Sequence, residues 1–203
     1  LNIPLAQYYA LHADNRLPYY HLTGGLQDNG TWTGPSRSRA AAILPSDWKL
    51  VTGGDGFYAT SHPDNPNLFL TESQGGRLSL TNIESGEQQS VAPQPNAGRV
   101  WELKYRFNWN TPIVNSPHGP QTVYIGGSSL FQSRNFGRSW EPISPDLTRN
   151  IRERMQSAGG PVWYDNSTAE NHGTIVSIGD SPAKAGVIWA GTDDGNVWVT
   201  QDG

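Results

Sequence analysis

The chain has 203 residues, with 23 Gly, 15 Pro, 8 Trp and 8 Tyr against only 16% charged residues and a formal net charge of −4. This is the make-up of a chain with many tight turns and bulky aromatic packing, so short strands are expected rather than long helices, and there is no cationic field to hold a nucleic acid. With no cysteine, disulfides and thiolate metal sites are excluded, and no apolar run reaches the roughly 18 residues that a bilayer-spanning helix needs.

In chain order, one phrase recurs: an apolar β-like run, a glycine-bearing turn, a second run with an aromatic residue or Leu, and a polar turn. The copies are YYHLTGGLQDNGTWTGPS from Tyr19, LFLTESQGGRLSLTNIESGE from Leu68, VYIGGSSLFQSRNFGRSW from Val123 and VIWAGTDDGNVWVTQDG from Val187, spaced 49, 55 and 64 residues apart. Such spacings fit four-stranded propeller blades with insertions; a β-sandwich with similar turns is the alternative. Turn signals precede three copies: HPDNPN, SPHGPQ and, more weakly, SPAKAG. Asp194-Gly195 between two β-rich runs reads as a hairpin turn.

In the first copy, Asp28 is followed by Gly30 and Trp32; further on, Asp55 in GGDGFY is followed by Phe57 and Tyr58. Acidic residues in glycine-rich loops beside aromatic platforms suit glycoside hydrolysis, which needs two facing carboxyl groups, so Asp28 and Asp55 are the candidate catalytic pair. The competing reading makes Asp28-Asn29-Gly30 and Asp55-Gly56 type I′ turns. YRFNWNTP offers Tyr105, Arg106, Trp109 and Asn110 for sugar or peptide contact, or else forms a central strand with its aromatics packed between blades. Trp32, Tyr58, Arg106, Trp109 and Asn110 are the candidate ligand contacts.

The segment DLTRNIRERMQSAGG, Asp146 to Gly160, has helical character and reads as an insertion on one face, extending to about residue 172. Glu170 and His172 follow in an irregular stretch, and His12, His21, His62 and His118 show no metal-ligand spacing. Asp193 and Asp194 read as hairpin residues, although GTDDGN offers oxygen ligands of the type calcium takes; no organic cofactor is indicated. Asn29 and Asn166 open glycosylation-type tripeptides.

SRNFGRSW, from Ser133 to Trp140, has the pattern Ser-x-Asn-x-Gly-x-Ser-Trp. Asn135 is placed to accept backbone N–H groups, Gly137 to take positive φ, and Trp140 to plug the turn onto a blade core. The stretch resembles the Asp-box of sialidase-like and sortilin-like β-propellers, with Asn135 in the place of Asp. Thr200 and Asp202 begin a second copy, and LTNIESGE around Ser85 is a degenerate one. QDNGTWTGPSR, GGDGFY, RFNWNTP, ISPDLTR and GTDDG together resemble large secreted bacterial proteins with sortilin-like or glycosyl-hydrolase-like propellers.

The resemblance implies that Asp-box turns lie on the propeller rim, away from any active site, and that the intact ring has more than four blades. Leu1 at the start and Gly203 inside an unfinished motif fit a piece of a longer chain. A sialidase is disfavoured because Arg37, Arg39, Arg77, Arg99 and Arg106 are scattered. The expectation is an all-β propeller domain over 1–203, secreted or at a bacterial cell surface, binding glycan or protein on its top face, with further blades supplied by the parent chain or a second chain. The alternatives are a glycoside hydrolase and a receptor that captures peptides in a tunnel lined by apolar residues.

Overall fold

The computed structural model describes residues 6–94, 103–160, 162, 163 and 165–203; of the arginines weighed above, Arg99 lies outside them. The chain forms four antiparallel sheets arranged as a four-bladed β-propeller. The first blade is β1 (Leu11–Ala13), β2 (His21–Leu26), β3 (Gly30–Pro35) and β4 (Lys49–Thr52). The second is β5 (Ala59–His62), β6 (Asn65–Ser73), β7 (Arg77–Asn82) and β8 (Gln88–Ser90), and the third is β9 (Ile113–Asn115), β10 (Val123–Gly126), β11 (Leu130–Ser133) and β12 (Glu141–Pro142). The fourth is β13 (Ile175–Asp180), β14 (Ile188–Thr192) and β15 (Val197–Thr200). In every sheet the strands lie side by side in chain order, and each of the four repeated phrases is a blade's hairpin: β2–β3, β6–β7, β10–β11 and β14–β15.

The blades stack through alternating side chains. Leu70, Leu78 and Leu80 of the second blade meet Ile113, Val123, Ile125 and Phe131 of the third in one buried cluster, and Tyr124 and Leu130 meet Ile175, Ile188 and Ala190 of the fourth in another. Each such fully buried side chain contributes about 1.5–3 kcal/mol. Between the first and second blades threonines do much of this work: Thr23 Oγ1 donates to Thr33 Oγ1 at 2.8 Å, and Thr52 and Thr71 share a hydroxyl bond at 2.8 Å. β-Branched hydroxyl residues fill a sheet surface while satisfying one another.

The first strands of successive blades touch in order, β1 with β5, β5 with β9 and β9 with β13. They carry polar groups. His12 lies 3.3 Å from Thr60 Oγ1 and 3.4 Å from Ser61 Oγ, Asn115 Nδ2 donates to Thr60 Oγ1 at 2.5 Å, and Ser116 Oγ donates to Asp180 Oδ2 at 2.6 Å. Burial lowers the His12 pKa, with Asp14 opposing.

The turn from Ser133 to Trp140 closes on its own side chains. Ser133 Oγ accepts from the N–H of Gly137 at 2.7 Å, and Asn135 Oδ1 accepts from the N–H of Ser139 at 2.9 Å. Asn135 Nδ2 donates to Ser139 Oγ at 2.8 Å, a bond that an Asp carboxylate cannot donate. Phe136 and Gly137 have φ of 53° and 84°, and Trp140 packs on the cluster between the second and third blades while its Nε1 donates to Val91 O at 2.7 Å. Thr200 and Asp202 repeat the start of this turn, with Thr200 Oγ1 donating to Asp202 Oδ1 at 2.9 Å.

Two expectations are corrected. Asp146–Gly160 forms no α-helix but only one 3-10 turn, Arg152–Arg154. Pro145 precedes the segment, and Asp146 Oδ1 accepts from both the N–H (2.9 Å) and hydroxyl (2.6 Å) of Thr148, local bonds that compete with helix formation. Nor is RFNWNTP a central strand: residues 106–111 are the connector leading into β9.

Candidate functional site

The outer face of the first blade is set by its register: Leu11, Gly24, Trp32 and Leu50 are successive cross-strand partners, so they share one face, while Thr23 and Thr33 face the second blade. Two glycines on this outer face leave room for aromatic rings arriving from outside the sheet. An added Cβ on Gly24 would run into Tyr8, and one on Gly34 into the indole of Trp48. Trp48 is delivered by the 3-10 turn Pro45–Asp47, where Asp47 Oδ2 accepts from the N–H of Leu44 at 2.7 Å.

The result is a cavity of about 610 Å³, lined by Tyr8, Tyr9, Trp32 and Trp48 and by the amides of Gln7, Gln27 and Asn29. Tyr8 and Trp48 stack with ring centroids 6.5 Å apart and planes 29° apart. Tyr9 donates its hydroxyl to Gln27 Oε1 at 2.5 Å, and Trp32 Nε1 donates to Asn29 O at 2.6 Å, which fixes both rings against the β2–β3 turn. Burial raises the Tyr8 pKa. Of the expected ligand contacts only Trp32 lines this cavity; Tyr8, Tyr9 and Trp48 were missed. The aromatic doublet ahead of β1 and the lone Trp after SD were the available signals.

The two candidate carboxylates meet, but not as a facing pair. Asp28 is exposed, with φ of 62°, in a three-residue loop between the partners Leu26 and Gly30. Its backbone N–H donates to Asp55 Oδ1 at 2.6 Å, and Gln74 Nε2 donates to Asp55 Oδ2. Asp55 is 8% exposed. Its carboxylate therefore ties the hairpin loop of the first blade to that of the second. Neither proposed type I′ turn forms: Asn29 separates the positive-φ residues Asp28 and Gly30, and next to Asp55 the positive φ falls on Gly54. Phe57 is fully buried, and Tyr58 is half-buried against the core.

Arg106 is 8% exposed and fully engaged: Nε donates to Gly173 O at 3.2 Å, and Nη2 donates to Asp146 Oδ2 and Thr148 Oγ1 at 2.8 Å each. Burial would raise the Asp146 pKa, but the bonds from Thr148 and Arg106 outweigh it and hold the carboxyl below its ordinary range. Trp109 stands edge-on to Phe57 at 5.6 Å, and Asn110 Oδ1 is buried without a partner.

Near them lies Glu72, 1% exposed, with Gly76 N–H 3.4 Å from Oε1 and Oε2 unpaired. Burial pushes its pKa well up, opposed by Thr111 and Gly76.

The remaining acids serve the backbone. Asp193 Oδ1 accepts from the N–H groups of Gly173 and Thr174 at 2.9 Å each, and Asp194 accepts from Thr192 Oγ1 and Arg149 N at 2.6 Å each. Ser167 donates to Glu170, and these bonds outweigh burial to lower its pKa. His172 Nε2 is buried without a partner. Among the described residues, no three His, Asp or Glu side chains gather in a way that would hold a metal ion.

No family model and no curated protein matches the chain. Solved structures do resemble it. An ancestral GH74 enzyme matches 94% of the chain at 15% identity and a TM-score of 0.57, and the GH74 xyloglucanase from Xanthomonas campestris matches 93% at 12% identity and a TM-score of 0.53. The chain spans only 22% and 26% of those two proteins. The computationally designed Ika4 protein matches 98% of the chain at 10% identity and a TM-score of 0.50, with 92% of its own length covered. At these identities the likeness is one of fold, the β-propeller.

Proposed function

We propose that the chain is a glycan-binding β-propeller module whose recognition cleft lies on the outer face of the first blade, at its β2–β3 end. One observation carries this reading: four aromatic rings and three side-chain amides line a single cavity of about 610 Å³, and among the described residues none that line it is charged. Ligand pockets fall in this size range. Flat rings accept the apolar faces of sugar rings, and amides both donate to and accept from hydroxyls. This reading puts recognition on the outer face of the first blade rather than on the propeller's top face.

A hydrolase with Asp28 and Asp55 is the weaker reading. Both oxygens of Asp55 already accept hydrogen bonds, whereas a catalytic carboxyl must face the scissile bond across an open site. The Ser133–Trp140 turn supports placing the chain among Asp-box propellers, and the GH74 neighbours, enzymes of a glycoside hydrolase family, fit a glycan ligand. Cell-surface or secreted work suits such a ligand. Exposed apolar residues on the outermost face of the fourth blade, Trp189 and Val199, suit a further blade from the same or a second chain.

The test is a panel of soluble polysaccharides in affinity electrophoresis, followed by calorimetry on the hits and mass spectrometry for released sugars. Retention that Trp32→Ala abolishes, without sugar release, is the expected result. Release lost in Asp28→Asn or Asp55→Asn would replace the binding module with a hydrolase.

A further inference from the structure

The rim of the aromatic cleft carries charge of one sign. Among the described residues no Lys, Arg or His lines the cleft, yet the exposed Asp28 stands between two lining residues, Gln27 and Asn29. Successive Cα atoms are about 3.8 Å apart, so the Asp28 carboxylate is carried within a side chain's length of the cleft edge.

The loop that carries it is held in place. The Asp28 N–H donates to Asp55 Oδ1 at 2.6 Å, Asn29 Nδ2 donates to Gln27 O at 2.9 Å, and Trp32 Nε1 donates to Asn29 O at 2.6 Å. The bonds that fix the Trp32 ring therefore also keep the backbone of Asp28 beside it.

Asp55 adds a second negative charge behind the first. Both donors to its carboxylate, the Asp28 N–H and the Gln74 side-chain amide, are neutral, so they satisfy its oxygens without cancelling its charge. Among the described residues neither Asp28 nor Asp55 is in an ion pair. Lys49 follows the lining residue Trp48, but it pairs with Thr33 and so lies on the sheet face opposite to Trp32 and Leu50. Its charge acts on His21, at the other end of the hairpin.

We infer that the cleft selects neutral polysaccharides and turns away acidic ones, with Asp28 as the specificity-determining residue and Asp55 reinforcing its field. The inference rests on the glycan-binding reading of the same cleft. Stacking on Tyr8, Tyr9, Trp32 and Trp48 is nearly blind to this difference, because a uronic acid offers an aromatic ring the same apolar face as its neutral counterpart. Discrimination then falls to the charge at the rim. The Debye length of about 8 Å at physiological ionic strength exceeds the backbone step from Asp28 to either lining neighbour, so an anionic sugar seated beside Gln27 or Asn29 meets a carboxylate that salt screens only in part. Like charge set against a site rejects the wrong partner without any new contact to the right one.

The test uses matched pairs: β-glucan, galactomannan and soluble starch, each as the neutral polymer and after a fraction of its primary alcohols has been oxidised to carboxylates. Binding to the 203-residue chain is followed by calorimetry at low and high salt. Between about 10 mM and about 1 M the Debye length falls from about 30 Å to about 3 Å. At low salt the neutral form of a retained polymer is expected to bind about fivefold or more tightly than its oxidised form, the scale of one close like-charge contact in water. At high salt the gap closes. Asp28→Asn, which tolerates the same positive φ, narrows the gap at low salt. Glu84→Gln, an equal change of net charge just beyond the far end of the second blade's β6–β7 hairpin, leaves the gap as it is. Equal binding of the two forms at low salt, tighter binding of the oxidised form, or a gap that neither salt nor Asp28→Asn narrows overturns the charge filter and leaves the glycan cleft standing. No binding of any polymer, neutral or oxidised, overturns the glycan reading and this inference with it.

Discussion

The backbone N–H of Asp28 donates to the carboxylate of Asp55 across 2.6 Å, so two acidic residues 27 positions apart are joined as donor and acceptor rather than facing each other as a carboxylate pair. The other Asp55 oxygen takes Gln74 on the next hairpin, and the one side chain thereby locks two blades together at their loops.

Removing that acceptor strands two donors in a buried place. Asp55→Ala is therefore expected to lower unfolding stability by about 1–3 kcal/mol, whereas Asp28→Asn, which keeps the backbone N–H, stays within about 0.5 kcal/mol of the parent. Urea denaturation of both variants checks this; equal losses would mean that the Asp28 side chain, and not its backbone, makes the tie.

Glu72 makes stability depend on pH in a direction opposite to that of a salt-bridged acid. Its folded pKa is raised above the ordinary 4.5, so the folded state holds the proton more tightly than the unfolded one. Its contribution is complete below the unfolded pKa and is lost as pH rises through the folded pKa. Glu72→Gln, a neutral isostere, is expected to flatten this part of the stability profile and to exceed the parent at high pH. Urea midpoints from about pH 4 to about pH 8 measure it; a parent profile that instead rises across that interval on account of Glu72 would sink the argument.

Much of the blade pattern was legible because a hairpin writes itself locally. Apolar alternation and a glycine turn specify β2–β3 or β14–β15 within about twenty residues. What joins hairpins to one another was not legible. Arg106 reaches Asp146 across 40 positions and Asn171 reaches the Phe107 carbonyl across 64, contacts for which local pattern holds no signal. The same limit hid the cleft: Tyr8 and Trp48 lie 40 positions apart and are brought together over Gly24 and Gly34, whose contribution is only a missing side chain. The helical composition of Asp146–Gly160 misled because side-chain bonds such as Thr148 to Asp146 outcompete the helix ladder in a short segment behind a proline.

The Ser133–Trp140 turn predicts an asymmetry between two small changes. Ser133→Ala removes the acceptor for the Gly137 N–H and is expected to cost about 1–2 kcal/mol. Asn135→Asp keeps the Oδ1 acceptor for Ser139 and lets the Ser139 hydroxyl rotate to donate, so it should change stability by less than about 0.5 kcal/mol. Thermal unfolding of the two variants side by side is the check, and a larger loss for Asn135→Asp would show that the amide donor is the group the turn depends on.

The cleft can be tested without touching a residue that contacts ligand. Gly34 lies in β3, and its missing side chain is the space the Trp48 indole occupies. Gly34→Ala should push that ring outward and separate it from Tyr8, weakening retention of a bound polysaccharide by about tenfold, the scale of one lost aromatic contact. The urea midpoint of this variant is the second readout, and it separates loss of the cleft from loss of the blade. If polysaccharide retention survives Gly34→Ala while the new methyl is accommodated and the fold is intact, Trp48 is a packing residue and the sugar lies elsewhere. If retention falls with the urea midpoint unmoved, the ring's position, set by a glycine that never meets the ligand, is what the cleft depends on.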